Sequence, residues 1–257
     1  MSVSTSTRHL VMLHDDTICA VATVPPEGNT DRLVVLVHGG PGGAKEGPDD
    51  LYVHLAEILA ARGIASFRFD FLGAGESSGH YRDMTISGQV EQLLAVVEHA
   101  RDTLHPTSLA LVGESYGATI AILGLSQLDV RCLVLLWPAI WLLDRTFASY
   151  VTPDRLREAE QRGFIVEEGE QVGLPFLQEV QAVKEVSDRL HGLTVPTLWI
   201  HGDADQEVPY QQSQRAARLV SGPKRVVIVP GGDHTLARPA EREVVNHEVT
   251  DWLVSHR

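Results

Sequence analysis

The chain has 257 residues and a formal charge of −13, from 21 Lys plus Arg against 34 Asp plus Glu, a balance that opposes binding to nucleic-acid phosphates or anionic membranes. Hydrophobic residues at 44%, with 22 Gly and 13 Pro, fit a globular chain and exclude collagenous, coiled-coil and disordered classes. For this mass the size scaling gives a folded surface of roughly 11,000 Å², so the core is large enough to need no disulfide or metal staple.

Taken in chain order, the first residues, Met1 to Thr7, lack the apolar stretch of a signal peptide, and no later run approaches the ~18 residues of a membrane span. Neither leader nor transmembrane helix is expected. Strands are predicted over 9–13 and 18–24, separated by His14-Asp15-Asp16-Thr17 and so able to form a hairpin. A strand over 33–37, a helix over 50–62 closed by Gly63, a strand over 64–69 and a helix over 85–101 follow. Next come a strand over 109–112, a helix over 116–125 and a strand over 132–137. The two cysteines, Cys19 and Cys132, fall in apolar strand runs and read as buried reduced thiols, which favours the cytoplasm.

Residues 141–193 break this rhythm, being longer than an ordinary crossover, and read as a helical cap inserted into a core of residues 1–140 and 194–257. A strand over 197–201, a helix over 210–219, a strand over 225–229 and a helix over 240–255 complete the chain. Helix-length spacers between the later strands demand parallel crossovers. The expected class is therefore α/β, with a mostly parallel eight-stranded sheet, an antiparallel edge and helices on both faces.

The chemistry concentrates at strand ends. Gly113-Glu114-Ser115-Tyr116-Gly117 directly follows an apolar strand run and opens a helical pattern. A serine nucleophile must stand on a turn so sharp that its neighbours are minimal, which accounts for Gly113 and Gly117. Such a serine needs a base and an orienting carboxylate. His201-Gly202-Asp203-Ala204-Asp205 holds two candidate acids at the end of one strand, with Asp205 preferred, and Pro230-Gly231-Gly232-Asp233-His234 holds a candidate base at the end of the next. An oxyanion hole would use the Tyr116 N–H and, from His38-Gly39-Gly40-Pro41-Gly42-Gly43, the N–H of Gly40.

Other readings of these loops are weaker. A phosphate-binding G-x-x-x-x-G-K-S/T is not matched, because Ala44 precedes Lys45 and Glu46 follows it. Gly73-Ala74-Gly75-Glu76-Ser77-Ser78 fails the dinucleotide G-x-G-x-x-G at Ser78. His201, Asp203, Asp205, Asp233 and His234 lack metal-ligand spacing, so neither metal nor organic cofactor is expected.

The ordered set His38-Gly39-Gly40, Asp70-Phe71-Leu72-Gly73-Ala74-Gly75-Glu76-Ser77, Gly113 to Gly117, His201 to Asp205 and Gly232-Asp233-His234 resembles the α/β-hydrolase superfamily over nearly the whole chain. Asp70-Phe71 followed by G-x-G-x-S is similar to the cinnamoyl and feruloyl esterase branch, whereas Gly40-Pro41-Gly42-Gly43 resembles proline iminopeptidase-like hydrolases. The resemblance implies a Ser115, Asp205 and His234 triad, with Asp205 chosen over Asp203 by its place after H-G. It implies a serine carboxylesterase for small acyl or aromatic esters. Aminopeptidase, amidase or thioesterase activity, a noncatalytic ligand-binding role and carbon–carbon bond hydrolysis are the alternatives. Trp141, Phe147, Phe164 and Phe176 of the cap are candidate pocket residues, and Glu167, Glu168 and Glu170 are candidate holders of a substrate ammonium group. The expected partner is a small-molecule ester, with no nucleic acid and no membrane, and a homodimer is open to the chain.

Overall fold

The computed structural model describes residues 4–40, 42–167 and 169–256; Met1, Pro41 and Glu168 lie outside them. Its main sheet contains β1 (Thr5–Leu13), β2 (Asp16–Val24), β3 (Arg32–Val37), β4 (Ala65–Phe69), β5 (Ser108–Glu114) and β6 (Cys132–Leu136). The insertion contributes β7 (Phe164–Glu167) and β8 (Glu170–Gly173), after which β9 (Thr197–Gly202) and β10 (Lys224–Val229) complete the main sheet. The eight strands run in the order β1-β2-β4-β3-β5-β6-β9-β10. β2 pairs antiparallel with both β1 and β4, and every other neighbouring pair is parallel. The expected antiparallel edge and parallel body are both present.

Side chains of β3 alternate between two layers: Leu33, Val35 and Val37 enter one core, Val34 and Leu36 the other. Both faces are apolar because helices cover both. Helices α2 (Ile86–Leu104) and α3 (Tyr116–Gly124) cover the first face and α1 (Leu51–Ala60) the second. After the insertion, α6 (Gln211–Ala217) joins the first layer and α7 (Pro239–Ser255) the second. The Thr85 hydroxyl accepts the Gly88 N–H at 3.0 Å and so caps the start of α2. Cys19 and Cys132 are buried free thiols on β2 and β6. No helix among the described residues is long and apolar enough to cross a membrane.

The winding direction places the functional crevice. From β3 the chain crosses to β4 on one side, then returns to β5 on the other side of β3 and continues outward to β6, β9 and β10. The loops after β3 and β5 therefore leave adjacent strand ends in opposite directions, which opens a gap at the carboxyl edge of the sheet.

Between β6 and β9 the insertion contains α4 (Pro153–Arg162) and α5 (Leu174–Val183), joined by the β7–β8 hairpin. It is thus mixed rather than wholly helical. Ile165 and Val172 are buried cross-strand partners and are the one buried apolar side chain of each four-residue strand, while Val166, Glu170 and Gln171 are exposed. Thr152 and Pro153 start α4 and Gly163 ends it. Buried Gln212 on α6 fastens the beginning of the insertion. Its Oε1 accepts the N–H groups of Ile140 (2.8 Å) and Trp141 (3.0 Å), and its amide donates to the carbonyls of Trp141 (3.3 Å) and Asp144 (3.1 Å).

Candidate active site

Ser115 stands between β5 and α3 with φ 51° and ψ −122°, a backbone conformation costly for any residue with a side chain. Close approach explains its glycine neighbours. A Cβ on Gly117 would lie 2.3 Å from the His38 carbonyl oxygen, and one on Gly113 would lie 2.7 Å from Ala118 Cα. The turn is held on the sheet by the Ser115 N–H, which donates to the Leu136 carbonyl at 2.9 Å.

His234, in the loop after β10, places Nε2 at 3.0 Å from Ser115 Oγ and Nδ1 at 2.7 Å from Asp205 Oδ2. Asp205 comes from the loop after β9, and its Oδ1 accepts the N–H groups of Glu207 (2.8 Å) and Val208 (2.9 Å). Fully buried His201 supplies another contact: its Nε2 lies 3.0 Å from Asp205 Oδ2 and 3.0 Å from the Val208 carbonyl. Two acceptors place the proton on that nitrogen, leaving Nδ1 to accept from the Ser213 hydroxyl at 2.7 Å. Asp203 and Asp233 brace loops instead, Asp203 accepting the Gly231 N–H and Asp233 the N–H groups of Thr235 and Leu236.

These contacts set the charges. Burial opposes ionisation of Asp205, but hydrogen bonds from His201 and His234, the His234 charge and the Val208 N–H outweigh it and hold the carboxyl well below the usual range. Burial likewise disfavours the His234 imidazolium, yet the hydrogen bond and charge of Asp205, aided by Glu207 and Glu114, raise its pKa above that of an ordinary histidine. Glu207 Oε2 lies 3.5 Å from His234 Nε2. At neutral pH the arrangement is a carboxylate, an imidazole able to take up a proton, and a serine hydroxyl in line.

The loop after β3 is organised from below. Glu114 is buried, and its carboxylate accepts the Gly39 N–H at 2.6 Å and the Trp137 indole N–H at 3.1 Å. The Trp137 ring stands edge-on to His234, centroids 6.2 Å apart. His38 Nε2 accepts the Phe71 N–H at 3.1 Å, so its proton is on Nδ1, which donates to the Gly39 carbonyl at 2.6 Å. Burial lowers the pKa of His38, keeping it neutral. Farther along, the Lys45 ammonium lies 2.8 Å from both Asp70 and Glu76, and Asp70 also accepts the Lys45 N–H at 2.7 Å. The loop containing Gly40 is thereby tied to the glycine-rich loop after β4. Among the described residues one group of potential metal ligands, Cys19, Asp70 and Glu76, converges, and the Lys45 ammonium already sits against its carboxylates.

Above Ser115 lies a cavity of about 560 Å³. One wall is the loop of Gly39, Gly40, Gly42 and Gly43; the other is the insertion segment from Arg145 to Tyr150, with Glu167, Glu207 and Thr235 at the sides. Of the four aromatic residues named from sequence, Phe147 lines this cavity. Phe176 is buried behind it, edge-to-face with Phe147 and Tyr116. Trp141 packs under the Arg215 guanidinium and bridges to Glu185, while Phe164 is covered by Arg162. Glu167 reaches the cavity wall but is ion-paired with Arg155, and Glu170 is an exposed hairpin residue. The sequence assigns no role in the site to Glu114, Trp137 or Glu207, and it does not reveal that His201 holds Asp205. Glu114 and His201 at least lie inside the G-x-S-x-G and H-G-x-x-D signatures.

This sheet order, with helices on both faces and a serine on the tight β5–α3 turn, defines an α/β-hydrolase. The chain belongs to the family described as serine aminopeptidase, S33, whose profile matches residues 28–161 and 175–241. It is 26% identical over 262 residues to the monoacylglycerol lipase of Mycolicibacterium smegmatis, covering 90% of this chain and 91% of the lipase. It is also 26% identical over 236 residues to the Escherichia coli K12 protein YfhR, covering 90% of this chain and 72% of YfhR. Among solved structures, a putative hydrolase from Agrobacterium vitis S4 superposes with TM-score 0.81 at 22% identity, covering 97% of this chain and 99% of that one. Est1E from Butyrivibrio proteoclasticus, solved with ferulic acid bound, superposes with TM-score 0.79 at 22% identity over 96% of this chain and 98% of its own.

Proposed function

We propose that this protein is a serine carboxylesterase acting on small acyl or aromatic esters. The observation that carries the reading is the Asp205–His234–Ser115 hydrogen-bond chain, 2.7 and 3.0 Å, ending on a hydroxyl in the floor of a cavity of about 560 Å³. In this reading His234 removes the Ser115 proton as Oγ attacks the ester carbonyl, and Asp205 orients the imidazole and stabilises its charged form. The N–H groups of Gly40 and Tyr116 receive the oxyanion. The Gly39 N–H is engaged by Glu114, whereas Tyr116 begins α3, whose N-terminal dipole favours negative charge. His234 returns its proton to the leaving alcohol, and water, activated by the same imidazole, releases the acid from Ser115.

Phe147 is the apolar contact for the acyl or aryl group, and the insertion acts as a cap over the site. The similarity to a monoacylglycerol lipase, and to the fold of Est1E, which binds ferulic acid, supports ester chemistry. The family description and the carboxylates on the cavity wall favour a second reading, removal of an N-terminal residue whose ammonium they would hold. A panel of p-nitrophenyl esters from acetate to decanoate, methyl ferulate and proline p-nitroanilide, run with wild type and Ser115→Ala, separates the two. Serine-dependent ester turnover with little anilide cleavage is expected. Preferential anilide cleavage would replace the esterase reading with the aminopeptidase one, and ester turnover unchanged by Ser115→Ala would remove Ser115 from the mechanism.

A further inference from the structure

His234 Nε2 is the atom that protonates the departing alcohol, so the leaving oxygen must come within hydrogen-bond reach of it. Glu207 Oε2 lies 3.5 Å from that same nitrogen, on the cavity wall, with a side chain 68% exposed. An atom two carbons beyond the leaving oxygen can therefore touch the Glu207 carboxylate. The loop's own geometry makes no use of this side chain to hold Asp205; it is the Glu207 N–H that donates to Asp205, at 2.8 Å.

Among the described lining residues the carboxylates are Glu114, Glu167 and Glu207, and Glu207 is the one placed 3.5 Å from His234 Nε2. Glu167 is ion-paired with Arg155, and Glu114 lies in the floor with its oxygens taken by the Gly39 and Trp137 N–H groups. Arg145, the one Arg or Lys among the described lining residues, stands on the insertion and gives Nη1 to the Gln206 carbonyl at 3.2 Å. Asp205 is neutralised in the reaction by the imidazolium it stabilises. A cation brought in with the alcohol gains a partner at Glu207, and an anion meets a like charge.

We propose that Glu207 makes the leaving-group side of the site selective for esters of amino alcohols, whose positive charge lies two carbons from the ester oxygen, over esters whose alcohol part is anionic. The proposal rests on the esterase reading and on His234 as the proton donor to the leaving group.

The test compares kcat/KM for three butyrate esters that differ in the alcohol: 2-(trimethylammonio)ethyl, its neutral isostere 3,3-dimethylbutyl, and 2-carboxyethyl. Wild type, Glu207→Gln and Glu207→Lys are assayed at one pH, with Ser115→Ala as control. Removing Glu207 also alters His234, but that change is common to the three substrates and cancels in their ratios. The cation-to-neutral ratio is expected to fall about threefold in Glu207→Gln, the scale of an exposed ion pair, and further in Glu207→Lys, where the anionic ester should gain by a similar factor. These differences should shrink at high salt. Ratios that stay constant across the variants while Ser115-dependent turnover persists would overturn the role of Glu207 alone. Failure of wild type to hydrolyse any of the three, or turnover retained in Ser115→Ala, would overturn the esterase reading and this proposal with it.

Discussion

His201 is the buried group whose removal reports most directly on how Asp205 and His234 are coupled. Its Nε2–H shares Asp205 Oδ2 with His234, at 3.0 and 2.7 Å. A hydrogen bond to a charged group contributes roughly 1.5–3 kcal/mol. In His201→Ala the carboxylate keeps His234 and the N–H groups of Glu207 and Val208, so it stays ionised but becomes more basic. A more basic Asp205 stabilises the imidazolium further and raises the pKa of His234. In the proposed mechanism turnover requires neutral His234, so the acid limb of kcat/KM should move to higher pH, by about 0.5 unit if a third or so of ~2 kcal/mol is passed on.

The same substitution leaves a void and deprives the Ser213 hydroxyl and the Val208 carbonyl of a partner, so a stability loss of about 2–4 kcal/mol is expected. At 2–4 °C per kcal/mol for a chain of about this size, Tm should fall by roughly 4–16 °C. His201→Gln, whose amide nitrogen can stand near the position of Nε2, should bring the acid limb back toward wild type. The assay is a pH profile of Ser115-dependent ester hydrolysis, with calorimetry on the same samples. A lowered Tm with an unmoved acid limb in His201→Ala would refute the coupling and reduce His201 to a packing residue.

Glu207→Gln removes a negative charge 3.5 Å from His234 Nε2, so its acid limb should move the opposite way, to lower pH; movement upward in the pH profile would contradict the electrostatic account. Ser115→Gly relieves the φ 51° strain and should raise the unfolding free energy by about 1 kcal/mol while abolishing turnover, as read by denaturant titration. Lys45→Met strands the buried Asp70 carboxylate and should cost about 3–5 kcal/mol, with Lys45→Met/Asp70→Asn recovering part of it; equal stability of the single and double variants would count against the pair as the tie between the two loops. The depressed pKa of Asp205 contributes stability that is present above the ordinary carboxylate range, near pH 4, and is lost as pH falls through the folded-state value. Asp205→Asn should therefore flatten the acid side of a Tm-versus-pH curve, and a curve that keeps its wild-type slope would show that other groups control acid unfolding.

Local order is written in the sequence where one segment decides it alone. The central strands β3, β5 and β6 are short apolar runs whose alternate residues enter the two core layers, and Gly113 and Gly117 announce the sharp turn because only glycine fits against Ala118 and the His38 carbonyl. The β7–β8 hairpin was not legible, since strands of four residues with one buried apolar position each carry little periodicity. Nor did aromatic composition tell which insertion residues face the cavity: Phe147 does, while Phe176 packs behind it, and the difference depends on how the insertion docks on α6 through Gln212.

The site itself is a product of tertiary structure. Ser115 and His234 are 119 positions apart, and His234 and Asp205 are 29 apart. Motifs marked each at the end of a strand, because turn chemistry is local. Only the sheet order, which sets β5, β6, β9 and β10 side by side, brings the three to one edge. The groups that tune them, the His201 hydrogen bond to Asp205 and the charges of Glu114 and Glu207 near His234, come from separate segments of the chain. Distance in space is the quantity that spacing along the chain does not encode.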